Sequence, residues 1–206
     1  MKKKSIILLA VFSVAVLCMA FLFLRDSSAP EITTIEFSER TPGLPGVADN
    51  HFKKNKSQVS AFKIKKSDNI KFMSVKAYEL VDSKWEPVRS SGYSLDDSRT
   101  SYTLFSCFDS ESGQYQEILK GRDVYETNQT METVDKNVSK FYVNHIYSCT
   151  EAPAGVEIPV LTHIYYSGEN EPVVHFGRFD EPEIFNRVRA DKLYITTVTF
   201  SEEFTE

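Results

Sequence analysis

The sequence predicts an all-β fold, an antiparallel β-sandwich of about nine or ten strands behind one N-terminal transmembrane helix. Three observations carry that reading. Ile6 to Leu24 is uncharged and is flanked by Lys2-Lys3-Lys4 and Arg25-Asp26. Beyond Glu31, short stretches rich in Val, Ile, Thr, Tyr and Phe recur, and such residues fit a pleated surface. Turn-forming clusters such as Thr41-Pro42-Gly43-Leu44-Pro45-Gly46 and Asp82-Ser83-Lys84 separate them, and these residues interrupt strands.

As a helix, Ile6 to Leu24 spans about 28 Å, close to the hydrocarbon thickness of a bilayer. Lysines before it and a single arginine after it orient the N-terminus toward the cytoplasm. Three fates are open to this segment. Lipidation of Cys18 calls for small residues before it and a polar tether after it, whereas Val16-Leu17 precede and Met19-Ala20-Phe21-Leu22 follow. Cleavage after Ser27-Ser28-Ala29 uses a small-x-small site, but Pro30 then follows the scissile bond. An uncleaved signal-anchor fits best, with secretion after cleavage as the alternative. Residues 1–25 are then a basic cytoplasmic tip and membrane span, 26–30 a short tether, and 31–206 an extracytoplasmic β domain, single-pass in the cell membrane.

The domain is long enough to bury its own core without many crosslinks. Outside the span, Cys107 and Cys149 are the available pair. A bridge between them closes a loop of about 43 residues and contributes on the order of 4 kcal/mol in the chain-entropy picture. The alternative is two reduced core thiols. The whole chain carries 24 Lys+Arg against 29 Asp+Glu, a net charge of −5. Against that balance, His51 to Lys76 is strongly basic. Its Lys53, Lys54, Lys56, Lys63, Lys65 and Lys66 form a candidate contact for anionic headgroups or wall polymers. They also read as a solvated strand edge that discourages mispairing. The acidic remainder and the exported location argue against nucleic acid.

Taken in order, Glu31 to Phe37 alternates as a first strand. Ser57 to Lys65 is a second. Asn69 to Val81 is a long third, turned at Asp82-Ser83-Lys84 into Trp85-Glu86-Pro87-Val88. Thr100 to Phe108 and Gln114 to Leu119 flank a turn at Asp109 to Gly113. Gly121 to Asn137 is polar and aperiodic and reads as a long loop. Val138 to Cys149 is a strong strand. Pro159 to Tyr166 and Pro172 to Phe179 flank Ser167-Gly168-Glu169-Asn170-Glu171 and read as a second hairpin. Asp180 to Phe185 starts a short helix, with Pro182 suited to a first turn. Lys192 to Phe200 is the closing strand.

The chemistry test returns little. A metal centre needs converging ligands, and His145, His163 and His175 show no such spacing; no metal or cofactor is expected. His145 and Cys149 lie about 13 Å apart on one strand, too far for a thiolate–imidazole pair. Asp109-Ser110-Glu111-Ser112-Gly113 places glycine one position early for a calcium loop. Tyr142, Tyr147, Tyr165 and Tyr166 are a candidate ligand-stacking face, although tyrosine is also a favoured strand residue.

Ile70 to Val88, "IKFMSVKAYELVDSKWEPV", and Ile158 to Phe200, with "IPVLTHIYYSGENEP" and "KLYITTVTF", resemble uncharacterised membrane- or lipid-anchored surface proteins of Gram-positive bacteria. The resemblance implies export and a β domain, and transfers no site residue. The expected function is a membrane-anchored binding or interaction domain at the cell envelope, contacting an envelope polymer or protein. The alternatives are an envelope hydrolase and an accessory subunit of a membrane complex.

Overall fold

A computed structural model of the chain describes residues 29–35, 59–109, 112–130, 140–145, 150–170, 172–174, 176 and 179–203. Within them, eleven strands form two antiparallel sheets. They are β1 (Glu31–Ile35), β2 (Val59–Lys65), β3 (Phe72–Val81), β4 (Lys84–Ser94), β5 (Ser101–Phe108) and β6 (Gln114–Lys120), followed by β7 (Val124–Thr130), β8 (Lys140–His145), β9 (Thr150–Glu151), β10 (Glu157–Tyr166) and β11 (Lys192–Ser201). The first sheet has the order β7-β6-β5-β2-β1-β9, and the second β4-β3-β11-β10-β8. No helix among the described residues is long and apolar enough to cross a membrane; Ile6 to Leu24 lies outside them.

Strand alternation decides which side chains meet between the sheets. Ile32, Phe62, Ile64, Leu104 and Leu119 from the first sheet pack with Met73, Val75, Leu161, Val198 and Phe200 from the second. The β3–β4 hairpin turns on Asp82 and Ser83, both at positive φ (47° and 65°). That is the left-handed pair a two-residue hairpin loop needs to match strand twist.

Two bulges reset the alternation. In β4, Ala77 pairs with Arg89 but Tyr78 with Pro87, so Val88 is the extra residue. Trp85 therefore points to the outer face, beside Leu80 and Phe185, while Arg89, Ser91 and Tyr93 point inward. Pro87, which lacks an N–H, is tolerated because β4 is an edge strand. In β10, Pro159 pairs with Thr197 but Leu161 with Thr196. The extra residue is Val160, and beyond it Leu161, His163 and Tyr165 face inward.

The sequence reading is corrected in two places. Gly121 to Asn137 is not one long loop, because Val124–Thr130 is a strand paired along its length with β6. Its side chains are largely exposed on both faces, which erased the apolar alternation. Pro172 to Phe179 is not the second arm of a hairpin, since β10 pairs with β11 on one side and β8 on the other. Instead Val174, Ile184, Phe185 and Val188 cover the outer face of the second sheet against Ile164 and Leu193. The expected short helix is a 3-10 helix, Pro182–Arg187.

Gly121, between β6 and β7, lies under a buried ring. A Cβ there would stand 2.7 Å from Tyr102 Cε1 and 2.8 Å from Cδ1. Tyr102 is itself held by its hydroxyl donating to Asp96 O at 3.1 Å, so the ring has little freedom to yield. Gly121→Ala is expected to destabilise the fold by about 1–3 kcal/mol, read as a lowered thermal midpoint, with Gly168→Ala as an unstrained control.

Candidate functional site

A carboxylate at an inward strand position needs a partner once the sheets close over it. Tyr115, Glu117 and Leu119 share the inner face of β6, and the Glu117 side chain is fully buried. Its partner comes from the opposite sheet. The Arg89 guanidinium, 2% exposed, grips both Glu117 oxygens in a two-point ion pair. Tyr93 donates to Glu117 Oε2 at 3.0 Å, and Tyr115 to Oε1 at 3.2 Å. The other face of the guanidinium is spent too. Arg89 Nη2 donates to Ser91 Oγ at 2.9 Å and to Thr127 Oγ1 at 3.1 Å. Its Cζ lies 4.3 Å from the Tyr115 ring centre, within cation–π range. Ser106 Oγ donates to the Tyr115 hydroxyl at 2.9 Å.

The electrostatics follow from burial. Burial itself works against the Arg89 charge, but Tyr115, Glu117 and Tyr93 outweigh it and hold its pKa above the ordinary value. Burial, reinforced by the Glu117 charge, pushes the Tyr93 and Tyr115 hydroxyls up, so both remain donors.

Tyr115 joins this cluster to a second one. His163 lies edge-on to it at 5.8 Å, 4.8 Å from Phe108 and stacked on Phe141 at 5.9 Å. Its Nδ1 is buried without a hydrogen-bond partner. Burial lowers its pKa to about 3, so near neutrality it is an uncharged aromatic filler. Chemically the whole arrangement is a cross-sheet clamp whose donors are spent on its own acceptors.

The residues singled out by sequence are dispersed. Lys63 and Lys65 are exposed on the outer face of β2, and Lys65 Nζ lies 3.6 Å from Glu31. Lys66 departs from the expected surface contact. It is 4% exposed and donates to Ile70 O at 2.9 Å, with Asp97 at 4.0 Å. Lys53, Lys54 and Lys56 lie outside the described residues. Tyr165 packs inward with Phe108 and Tyr194, whereas Tyr142 and Tyr166 lie on the other face of that sheet, so Tyr165 shares no surface with them. Tyr147 lies outside the described residues. Cys107 is a buried free thiol whose pKa burial raises to about 12; Cys149 lies outside the described residues. His175 does so as well, and no group of three or more His, Cys, Asp or Glu converges among the described residues. At the expected turn, Gly113 N–H donates to Asp109 O at 2.8 Å; Ser110 and Glu111 lie outside the described residues.

Sequence reasoning missed Arg89, Tyr93 and Glu117. One signal was present, since Glu117 sits on the same strand parity as Tyr115 and Leu119, and a charge on an apolar parity asks for a buried partner.

Removing one member of the pair strands the other. Glu117→Ala is expected to cost about 3–5 kcal/mol, and the Arg89→Met/Glu117→Leu double variant to recover most of it, both read by thermal unfolding. His163 gives a signed pH effect. Its folded pKa lies below the ordinary value of about 6.5, so between about 6.5 and 3 the unfolded chain binds a proton that the fold refuses. Stability therefore falls as pH drops through that window, by up to about 1.4 kcal/mol per unit. His163→Phe is expected to flatten the difference between pH 6.5 and 5, above the range where ordinary carboxylates titrate; an unchanged slope would place the acid sensitivity elsewhere.

Comparison with known proteins finds no matching family model, no matching curated protein and no matching solved structure.

Proposed function

We propose that the chain is a membrane-anchored binding domain of the bacterial cell envelope, its β-sandwich held outside the cytoplasmic membrane. The observation that carries this reading is the uncharged run Ile6 to Leu24 between Lys2-Lys3-Lys4 and Arg25, ahead of a two-sheet domain. The architecture is compatible with recognition. Arg89, Glu117, Tyr93 and Tyr115 are committed to cross-sheet contacts, while the outward face of β2 presents Lys63 and Lys65 to solvent. A polyanion of the envelope, a wall polymer or an anionic headgroup layer, is the ligand class that matches those cations.

Three measurements test the reading. After expression in a bacterial host, the full chain is expected to stay in carbonate-washed membranes, and protease added to intact spheroplasts is expected to remove the domain. A chain released by carbonate, or a domain protected from outside protease, would sink the anchor and its orientation. Detergent-solubilised full chain is expected to be retained on polyanionic wall sacculi at low salt and to elute as salt shortens the Debye length from about 10 Å toward 3 Å. Lys63→Gln with Lys65→Gln is expected to weaken retention. Equal retention of both forms would remove these lysines from the contact.

A further inference from the structure

We infer that the outer edge of β7 is a self-association surface, pairing antiparallel with β7 of a second copy of this chain. Edge strands are normally blunted, because an open ladder of N–H and C=O groups invites another strand. Among the described residues the sheets have four edges, and three of them are blunted. β9 is two residues long. β4 carries Pro87, a bulge and the charges Lys84 and Glu86. β8 is six residues long and opens on an exposed lysine, Lys140, a residue type that discourages edge pairing.

β7 has none of these devices. It runs seven residues as "VYETNQT", with no proline, no lysine and one charge, Glu126. Its ladder with β6 is unbroken from Gln114↔Thr130 to Lys120↔Val124, and among the described residues no strand takes its other edge. Val124 and Tyr125 are each left 47% exposed.

The strand is also complementary to itself. In an antiparallel pair centred on Thr127, Thr127 meets its own copy, and Glu126 of each copy stands opposite Asn128 of the other. The single charge thus faces an amide instead of a like charge, which directly opposed strands penalise. Val124 falls opposite Thr130, another good strand residue. The two-fold relation makes the contact closed, so it stops at a dimer. It joins the two six-stranded sheets into one continuous sheet. A strand-edge contact of this kind is small, so weak, transient association is expected.

The register supplies the test. Sedimentation equilibrium of the full chain in detergent micelles is expected to show a weak, reversible, concentration-dependent dimer. Asn128→Glu places two symmetric like-charge pairs across the dyad and is expected to weaken the dimer about fivefold or more. Adding Glu126→Lys turns both pairs attractive and is expected to bring affinity back near the parent. Glu126 and Asn128 are exposed, so near-ultraviolet circular dichroism should be unchanged in both variants. A monomeric parent overturns the proposal. So does an Asn128→Glu variant that dimerises as tightly as the parent, which would place association elsewhere, the apolar N-terminal run included. Failure of the charge swap to restore the dimer overturns pairing about Thr127.

Discussion

The Arg89–Glu117 ion pair is the constraint around which the sandwich is arranged. Apolar sheet faces tolerate sliding over one another, since one methyl group replaces another at small cost. A buried ion pair does not, because any displacement that opens it leaves a desolvated charge on each side. Arg89 comes from β4 and Glu117 from β6, so the pair fixes how the second sheet sits over the first. Tyr93 and Tyr115 occupy the remaining acceptor positions of the carboxylate, and Ser91 and Thr127 take up the guanidinium. A network so closed specifies one geometry more than it adds net stability.

The pair exists because of a bulge. Without Val88 as the extra residue, Trp85, Pro87 and Arg89 would fall on one face, and the guanidinium would sit outside with the indole. With it, Trp85 turns outward to stack on Phe179 and donate to its carbonyl at 2.9 Å, and Arg89 turns inward. The β10 bulge does the same for His163, which enters the aromatic cluster of Phe108, Phe141 and Tyr115. Both inserted residues serve to re-aim the side chains that follow them, and both re-aimed side chains end in contact with the Tyr115 ring.

Those two insertions also mark where the sequence was legible and where it was not. Alternation and strand-favouring residues between turn signals identified β1, β2, β3, β5, β6, β10 and β11 to within a few residues. The Asp82-Ser83 turn was legible from residue type. β7 was not, since a strand exposed on both faces has no alternation to read. The segment 172–179 failed for the opposite reason. Its place after the Ser167 to Glu171 turn suggested a hairpin arm, yet the outer face of the second sheet needed a cover, and Val174 and Phe185 supply it. Of the candidate site, the basic stretch was visible, but Lys66 folds back onto Ile70 O. Arg89 escaped because a one-residue insertion in a strand leaves no mark in residue type, and parity beyond it inverts.

The clamp and the β7 edge are mechanically one unit. An edge strand usually discourages pairing by twisting or fraying, and β7 has only β6 to hold it within its own sheet. Thr127, at its midpoint, is bonded from the opposite sheet by Arg89 Nη2 at 3.1 Å and lies 3.3 Å from the Tyr93 hydroxyl. Those contacts come from the inner face, so they restrain the strand while leaving its outward ladder open. Holding an edge straight lowers the ordering cost of pairing with it, which is the usual route from preorganisation to affinity. Loosening the ion pair should then weaken strand pairing at β7 even in a chain that remains folded, because the same guanidinium that satisfies Glu117 also fixes the strand that meets the second copy.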